Sequence, residues 1–275
     1  MVIEFLRMLR HGQLRRFSKG WLFLGKIYRW FFRYLKLSKN SKHNIGPYGP
    51  FLLDGYFAFS DFGAWGGGHN NGFESCIEAC RGANCFVDIG AHIGLVTLPA
   101  AKMLEGRGHV HAFEPSKVNS EFLRRHIAVN SFHNVTVSDL LVGEKNDFVD
   151  FFEANYPNGQ NSKVITSRVD SYLKCKREQV TLDKYVAEKK IAPDIIKIDV
   201  EGAEISVLAG AKRTIKLFRP LIYLSVHPKE LNETPEGLVG LKDIIREIGY
   251  QSFELNGSKV IDYRLAEYIL KPYLR

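Results

Sequence analysis

The stretch FVDIGAHIG, Phe86 to Gly94, decides the fold. A short apolar run carrying one acid, Asp88, breaks into two glycines, Gly90 and Gly94, and a helix-like segment, LVTLPAAKML, follows directly. Strand, glycine turn and helix in that order make the nucleotide-holding unit of α/β proteins, because the turn brings backbone amides up to a ligand at the helix start. A dinucleotide fold spells the turn G-x-G-x-x-G, so that the backbone can close on a pyrophosphate. Here His92 stands at the middle position and the spacing is D-x-G-x-x-x-G. That is a poor cradle for a diphosphate and suits a ligand that has none.

The next strand-like run, HVHAFEP, puts Glu114 at a strand end, 20 residues past Gly94. A carboxylate there can accept hydrogen bonds from both hydroxyls of a ribose. Ligands of open α/β sheets sit outside the carboxyl ends of the strands. Asp88, Glu114 and Asp139 are therefore expected to converge on one crevice, with Asp139 accepting from an adenine amine. An adenosine with a charged tail and no phosphate describes S-adenosylmethionine. Its expected contacts are Asp88, Gly90, His92, Gly94, Glu114 and Asp139, with His92 packing against the cofactor.

Outward from this unit the pattern alternates. CFVDI, HVHAF, VTVSDLLV, DIIKID and LIYLSV read as strands, and VDFFEANYP and YQSFEL add two more. LVTLPAAKML, KVNSEFLRRHIAVN, AEISVLAGAKRTIK and GLVGLKDIIREIG read as helices, with FESCIEACRG as a short helix ahead of the first strand. Short apolar strands alternating with helices imply crossover connections and an α/β fold with a mostly parallel sheet.

The densest polar cluster is IIKIDVEGAE, with Lys197, Asp199, Glu201 and Glu204. Strand alternation puts Lys197 and Asp199 on one side, and Glu201 joins them past the strand end. Glu204 is expected on a solvated helix face. The next strand, LIYLSVHP, delivers His227 close to Asp199. Methyl transfer to a hydroxyl needs the acceptor aligned and its proton removed. His227 has the intrinsic pKa of a general base, oriented by a neighbouring carboxylate. The expected catalytic residues are His227, Asp199 and Glu201. An alternative use of the same three groups is to hold Mg²⁺, lowering the acceptor's pKa. An ordinary ion pair between Lys197 and Asp199 is the plainer reading of those two charges.

The stretch DFGAWGGGHNNGF, residues 61 to 73, packs five glycines around Trp65, His69, Asn70 and Asn71 and is expected to be a loop. SKNSKHNIGPYGP, residues 38 to 50, reads as a polar joint, and FLLDGYFAF after it as a hairpin or extended arm. Three segments result: a basic helical extension over 1–42, an arm with the glycine loop and lead-in helix over 43–83, and the α/β domain over 84–275.

The formal charge of +8 over 275 residues is concentrated at the start. Residues 1–42 hold 11 Lys and Arg against Glu4 alone, leaving 27 basic and 29 acidic groups in the rest. Arg15, Lys19, Lys26, Arg29, Arg33 and Lys36 recur at helical steps beside Trp21, Phe31 and Phe32. A basic stripe next to aromatic residues suits a helix lying on an anionic membrane surface; the alternative is a helical cap on the domain. The same charges break any run of roughly 20 apolar residues, so a membrane span is not expected. A signal peptide is not expected either, because no apolar core precedes a small-residue cleavage site. Nor is nucleic-acid binding, since no recognition motif accompanies the charge. Four cysteines are too few for a disulfide framework and point to reduced thiols in a cytoplasmic protein, peripheral on the inner membrane face if the helix binds lipid.

Together VDIGAHIGLVT, AFEP, TLDKY, IIKIDVEGAE and VLAGA resemble the FkbM-type S-adenosylmethionine-dependent methyltransferases, across roughly residues 84 to 230. The resemblance implies a Rossmann-like class I methyltransferase fold: a seven-stranded, mostly parallel sheet with helices on both faces and an antiparallel last strand. It also implies an O-methyltransferase acting on a hydroxyl of a sugar, glycolipid or surface polysaccharide. His92 departs from the Asn common in the family, and Ser225 stands where many members carry Glu, which shifts weight from a metal toward His227. The glycine loop lies outside the shared region, and Trp65, His69 and Asn70 are expected to contact the acceptor. The rival readings are an NAD-dependent oxidoreductase and a non-catalytic membrane- or nucleic-acid-binding module.

Overall fold

The computed structural model describes residues 40–154 and 172–273. The helix read over residues 1–42 lies outside them except for its last three positions, and so do the final residues of VDFFEANYP. Two compact units divide at Ala64 and Trp65.

In the first unit, β1 (Asn40–Ile45) and β2 (Tyr48–Asp54) form an antiparallel hairpin, followed by one turn of 3₁₀ helix over Gly55–Phe57. The stretch read as a polar joint is therefore largely strand. Its Gly46 adopts φ +53 at the hairpin turn, and His43, Ile45, Phe51 and Leu53 alternate inward. Gly and Pro here mark a turn between two alternating runs rather than a linker.

The second unit opens with the glycine loop, which stays irregular apart from a 3₁₀ turn at Gly68–Asn70. Then come α1 (Phe73–Ala79), β3 (Cys85–Ile89), α2 (Thr97–Leu104), β4 (His109–Phe113), α3 (Lys117–Val129), β5 (Val135–Ser138) and the two-residue β6 (Leu141–Val142). A long hairpin follows, β7 (Asp147–Ala154) and β8 (Tyr172–Val180). The chain continues through α4 (Leu182–Lys189), β9 (Ile195–Ile198), α5 (Glu204–Ala209), α6 (Lys212–Phe218), β10 (Leu221–Val226) and α7 (Pro228–Leu231). It ends with α8 (Gly237–Glu247), β11 (Tyr250–Phe253) and β12 (Ala266–Pro272).

Seven of these strands form one sheet in the order β11-β12-β10-β9-β3-β4-β5. β10, β9, β3, β4 and β5 run parallel, and β12 runs antiparallel between β10 and β11. The class I architecture and its antiparallel last strand are thus present. Val87, Ile89, Ile196, Ile198, Ile222 and Leu224 meet apolar side chains of α4, α5, α6 and α8 in one core. Each such aliphatic side chain contributes about 1.5–3 kcal/mol by leaving water.

β8, α4 and β12 have no counterpart in the sequence reading, and two elements that were read are divided differently. VTVSDLLV splits: β5 joins the main sheet, while β6 pairs with β8 in a second, three-stranded sheet. AEISVLAGAKRTIK is two helices divided at Gly210 and Ala211. A Cβ on Gly210 would lie 1.8 Å from the Gly143 carbonyl oxygen, so the chain passes too close to its neighbour there for any residue but glycine. Among the described residues, no helix is long and apolar enough to cross a membrane.

Candidate active site

The carboxyl ends of β3, β4, β9 and β10 open onto a cleft of about 340 Å³, within the roughly 300–1,000 Å³ that small-ligand sites span. Chain order runs outward in both directions from β3 and β9. Such a switch point is where open α/β sheets hold ligands.

At one end of the cleft, β3 delivers Asp88, fully buried, which accepts from the Thr97 hydroxyl at 2.6 Å. Burial pushes its carboxyl up to about 6, against that hydrogen bond and the charge of Lys197. The chain then turns at Gly90, whose φ is +91. A Cβ there would lie 1.9 Å from the Asp199 carbonyl oxygen. Gly90 is thus required by the backbone of β9's end, not by a phosphate. At Gly94 a Cβ would meet Leu123 Cδ1 at 2.8 Å. Between them His92 adopts φ +53, a left-handed conformation in which Asn, Asp and His are enriched among non-glycine residues. That accounts for His92 at a position the family commonly gives to Asn.

Glu114 is the centre of this end. It lines the cleft, buried, with Oε2 accepting from the His92 amide at 2.8 Å and Oε1 from the Ser116 amide at 2.9 Å. Burial pushes its carboxyl up to about 7, against those two hydrogen bonds. Among the described residues no cation pairs with it. A carboxylate gripped by one N–H on each oxygen keeps lone pairs for two further donors, the requirement of a vicinal diol. The residues therefore fit the adenosyl ribose of S-adenosylmethionine, with Asp88, Gly90 and His92 in the same wall. Asp139 does not join them. β5 ends at Ser138, and the Asp139 carboxylate pairs with Arg124 of α3 at 2.9 Å, more than half exposed. Leu140, Leu141 and Val142 form the cleft wall there instead.

At the other end, β9 and β10 bring the charged cluster together. Lys197 is buried, donating to Glu267 at 2.7 Å and to the Ser225 hydroxyl at 2.6 Å, with Asp199 at 3.4 Å. Burial alone would lower its pKa; Asp199 and Glu267 outweigh that and hold the ammonium charged. Asp199 is in turn held below the usual carboxylate range, since Lys197 and His227 overcome its burial. The plain ion-pair reading of Lys197 and Asp199 holds, with Glu267 as the shorter partner.

His227 lies in the cleft wall between two acids: Nδ1 is 2.8 Å from Glu204 Oε1, and Nε2 is 3.6 Å from Asp199 Oδ1. Glu204, expected on a solvated face, is fully buried. The left-handed Glu201 and the following Gly202, at φ +46 and +100, turn the chain so that the start of α5 points inward. Burial would lower the His227 pKa, but Glu204 and Asp199 raise it to about 9, with Glu201 adding to them. The imidazole is therefore charged at neutral pH, not poised at its intrinsic value. Glu201 lines the cleft as expected. Among the described residues no group of three or more His, Cys, Asp or Glu is arranged to hold a metal ion. The Mg²⁺ alternative at Asp199, Glu201 and His227 thus gains no support from their arrangement.

Trp65, His69 and Asn70 reach the same cleft, joined by Glu230 of α7 and Leu265. The Trp65 indole N–H is buried without a hydrogen-bond partner among the described residues. Sequence reasoning missed Glu204 as the partner of His227, and Glu267 altogether. Glu267 stands opposite Ser225 in the β10–β12 register. Its carboxylate meets Lys197 and the Ser225 hydroxyl, and the readable signal was an acid inside the apolar run of the last strand.

The FkbM methyltransferase domain model matches residues 88–252. Comparison with curated proteins returns no match. Among solved structures, the FkbM methyltransferase of Methylobacillus flagellatus KT aligns at TM-score 0.46 and 23% identity, over 69% of this chain and 43% of that one. The chain thus spans under half the length of that relative. An O-methyltransferase from Bacillus cereus in complex with S-adenosylhomocysteine aligns at 0.43 and 16%, over 74% and 80% of the two chains. The O-methyltransferase TomG from Streptomyces achromogenes, in complex with S-adenosylmethionine, aligns at 0.42 and 13%, over 73% and 78%. The family match covers more than half of the chain and counts against the oxidoreductase reading: the chain belongs to the FkbM methyltransferase family.

Proposed function

We propose that this protein is an S-adenosylmethionine-dependent methyltransferase acting on a hydroxyl of a sugar, glycolipid or surface polysaccharide. The observation that carries the reading is His227 in the cleft wall, bonded through Nδ1 to Glu204 and facing Asp199 through Nε2. When bound, the cofactor supplies an electrophilic methyl group on a sulfonium. A hydroxyl attacking it must lose its proton, and a histidine whose Nδ1–H is held by a carboxylate presents Nε2 as the basic nitrogen. Glu204 fixes that tautomer, and Asp199 stands beside the nitrogen that takes the proton. Glu114, with Asp88, Gly90 and His92, holds the adenosyl end. Beyond His227, Trp65 offers an aromatic face, and Asn70, Glu201 and Glu230 offer donors and acceptors for a polyol. Proton removal by a single histidine suits a hydroxyl that the cleft has already aligned.

The test transfers isotopically labelled methyl from S-adenosylmethionine to a panel of oligosaccharides and glycolipids. Label in a base-stable methyl ether is the expected result; label in an amine or an ester overturns the hydroxyl reading. His227→Ala is expected to slow turnover by roughly 10²–10⁴-fold while S-adenosylhomocysteine affinity holds. Unchanged turnover removes His227 as the base. Loss of affinity in Glu114→Ala is the matching expectation for the ribose site.

A further inference from the structure

The long hairpin of β7 and β8 contributes Phe151 to the cleft, yet its polar inner residues touch neither end of it directly. Glu153 and Arg177 stand side by side there, each largely buried and joined through Arg177 Nη2 and Glu153 Oε2. Both also reach across to the corner that follows Glu114. Arg177 Nε donates to the Pro115 carbonyl oxygen at 2.8 Å, and Glu153 Oε1 accepts from the Ser116 hydroxyl at 2.7 Å. Ser116 is itself the cap of α3, its Oγ accepting from the Asn119 amide at 3.3 Å, and its own amide grips Glu114. The corner Glu114-Pro115-Ser116 is thus pinned on three sides: by the turn at His92, by the start of α3, and by the hairpin.

We infer that Arg177 and Glu153 are positioning residues for the cofactor: they hold the Pro115-Ser116 backbone so that Glu114 presents its carboxylate to the ribose. Neither acts on the cofactor itself. The geometry gives each a distinct part. Glu153 fixes the Ser116 hydroxyl, and so the residue whose amide donates to Glu114. Arg177 fixes the Pro115 carbonyl and neutralises Glu153, which would otherwise set a second uncompensated acid close to Glu114. Arginine is needed rather than lysine, because a planar fork can serve the carbonyl and the carboxylate at once, whereas an ammonium is a single point. The proposal rests on the reading of Glu114 as the ribose acceptor.

A double-mutant cycle on the full chain separates the two, with S-adenosylhomocysteine affinity by calorimetry and thermal melting of the ligand-free protein as readouts. Arg177→Met keeps the apolar stem and is expected to weaken affinity on the order of tenfold. In a Glu114→Ala background the same substitution should have little further effect, since the group it positions is gone. Arg177→Lys, milder on folding, should reproduce most of the loss, and Glu153→Gln, which keeps an acceptor for Ser116, should lose less than Glu153→Ala. A lowered melting temperature with unchanged affinity marks Arg177 as structural and overturns the proposal, as does equal loss in both backgrounds. If Glu114→Ala alone leaves affinity intact, the ribose reading falls and takes the proposal with it. That outcome is told apart by the single Glu114 variant.

Discussion

A histidine between two acids behaves differently from a histidine alone, and His227 shows how far the surroundings can move it. With its pKa raised to about 9, it lies above an unfolded value of about 6.5. The stability it contributes is full below about pH 6.5 and lost as pH rises through about 9. As a base it works only after losing that proton, so methyl transfer is expected to accelerate with pH over the same range. Glu204→Gln removes the nearest charge, and the imidazole midpoint, followed by NMR, should fall toward 6.5 with the rate profile moving alongside it. A wild-type midpoint near 6.5, or no movement in the variant, would refute this account. At this scale the sequence was legible for acids and a histidine in or directly after the central strands: Asp88 within β3, and Glu114, Asp199 and His227 just past β4, β9 and β10, all reach the cleft. Asp139 stands just past β5 in the same way yet swings out to Arg124, and Glu204, at the start of α5, folds under to His227, because side-chain direction beyond a strand depends on loop dihedrals that no periodicity encodes.

Most of the parallel strands and the helices between them were legible because alternation and amphipathic spacing are local properties. β8, α4 and β12 were not, the first being a charged strand, YLKCKREQV, without apolar alternation, and close approaches of distant backbone, as at Gly210 against Gly143, also stayed hidden. Gly90 is the functional instance. The turn of D-x-G-x-x-x-G reads at first as a ligand cradle, yet the atom that forbids a side chain is the Asp199 carbonyl oxygen, from a strand more than 100 residues on. The two strand ends that carry Asp88 and Asp199 are held together at that point, where the Asp199 amide also donates to the Ile89 carbonyl at 2.9 Å. Gly90→Ala is expected to cost roughly 2–5 kcal/mol, from the strained positive φ and the enforced separation of β3 and β9. Gly106 has a similar φ of +83 but open space around it, so Gly106→Ala should cost only about 1 kcal/mol. Urea unfolding of both variants makes the comparison; equal losses would show that backbone strain alone, not the close approach, fixes Gly90.

Over the whole chain, charge and chemistry are separated along the sequence. Residues 43–275 are close to neutral, while residues 1–42 hold the basic excess. We propose that the basic excess meets an anionic membrane surface, which would bring a glycolipid acceptor to the cleft. Each basic residue near such a surface is worth about 1 kcal/mol, and the attraction decays within a Debye length of about 10 Å at 0.1 M salt. Reversing Lys26, Arg29 and Arg33 to Glu in the full chain should therefore weaken binding to vesicles rich in anionic lipid by at least about 100-fold. Binding by the wild-type chain should fall steeply with added salt and be absent on purely zwitterionic vesicles. Affinity for S-adenosylhomocysteine should stay unchanged in the reversed variant, since every residue placed in the cleft lies from Trp65 onward. Equal vesicle binding by the two proteins would leave the basic stripe without a membrane role, and the helical-cap reading would take its place.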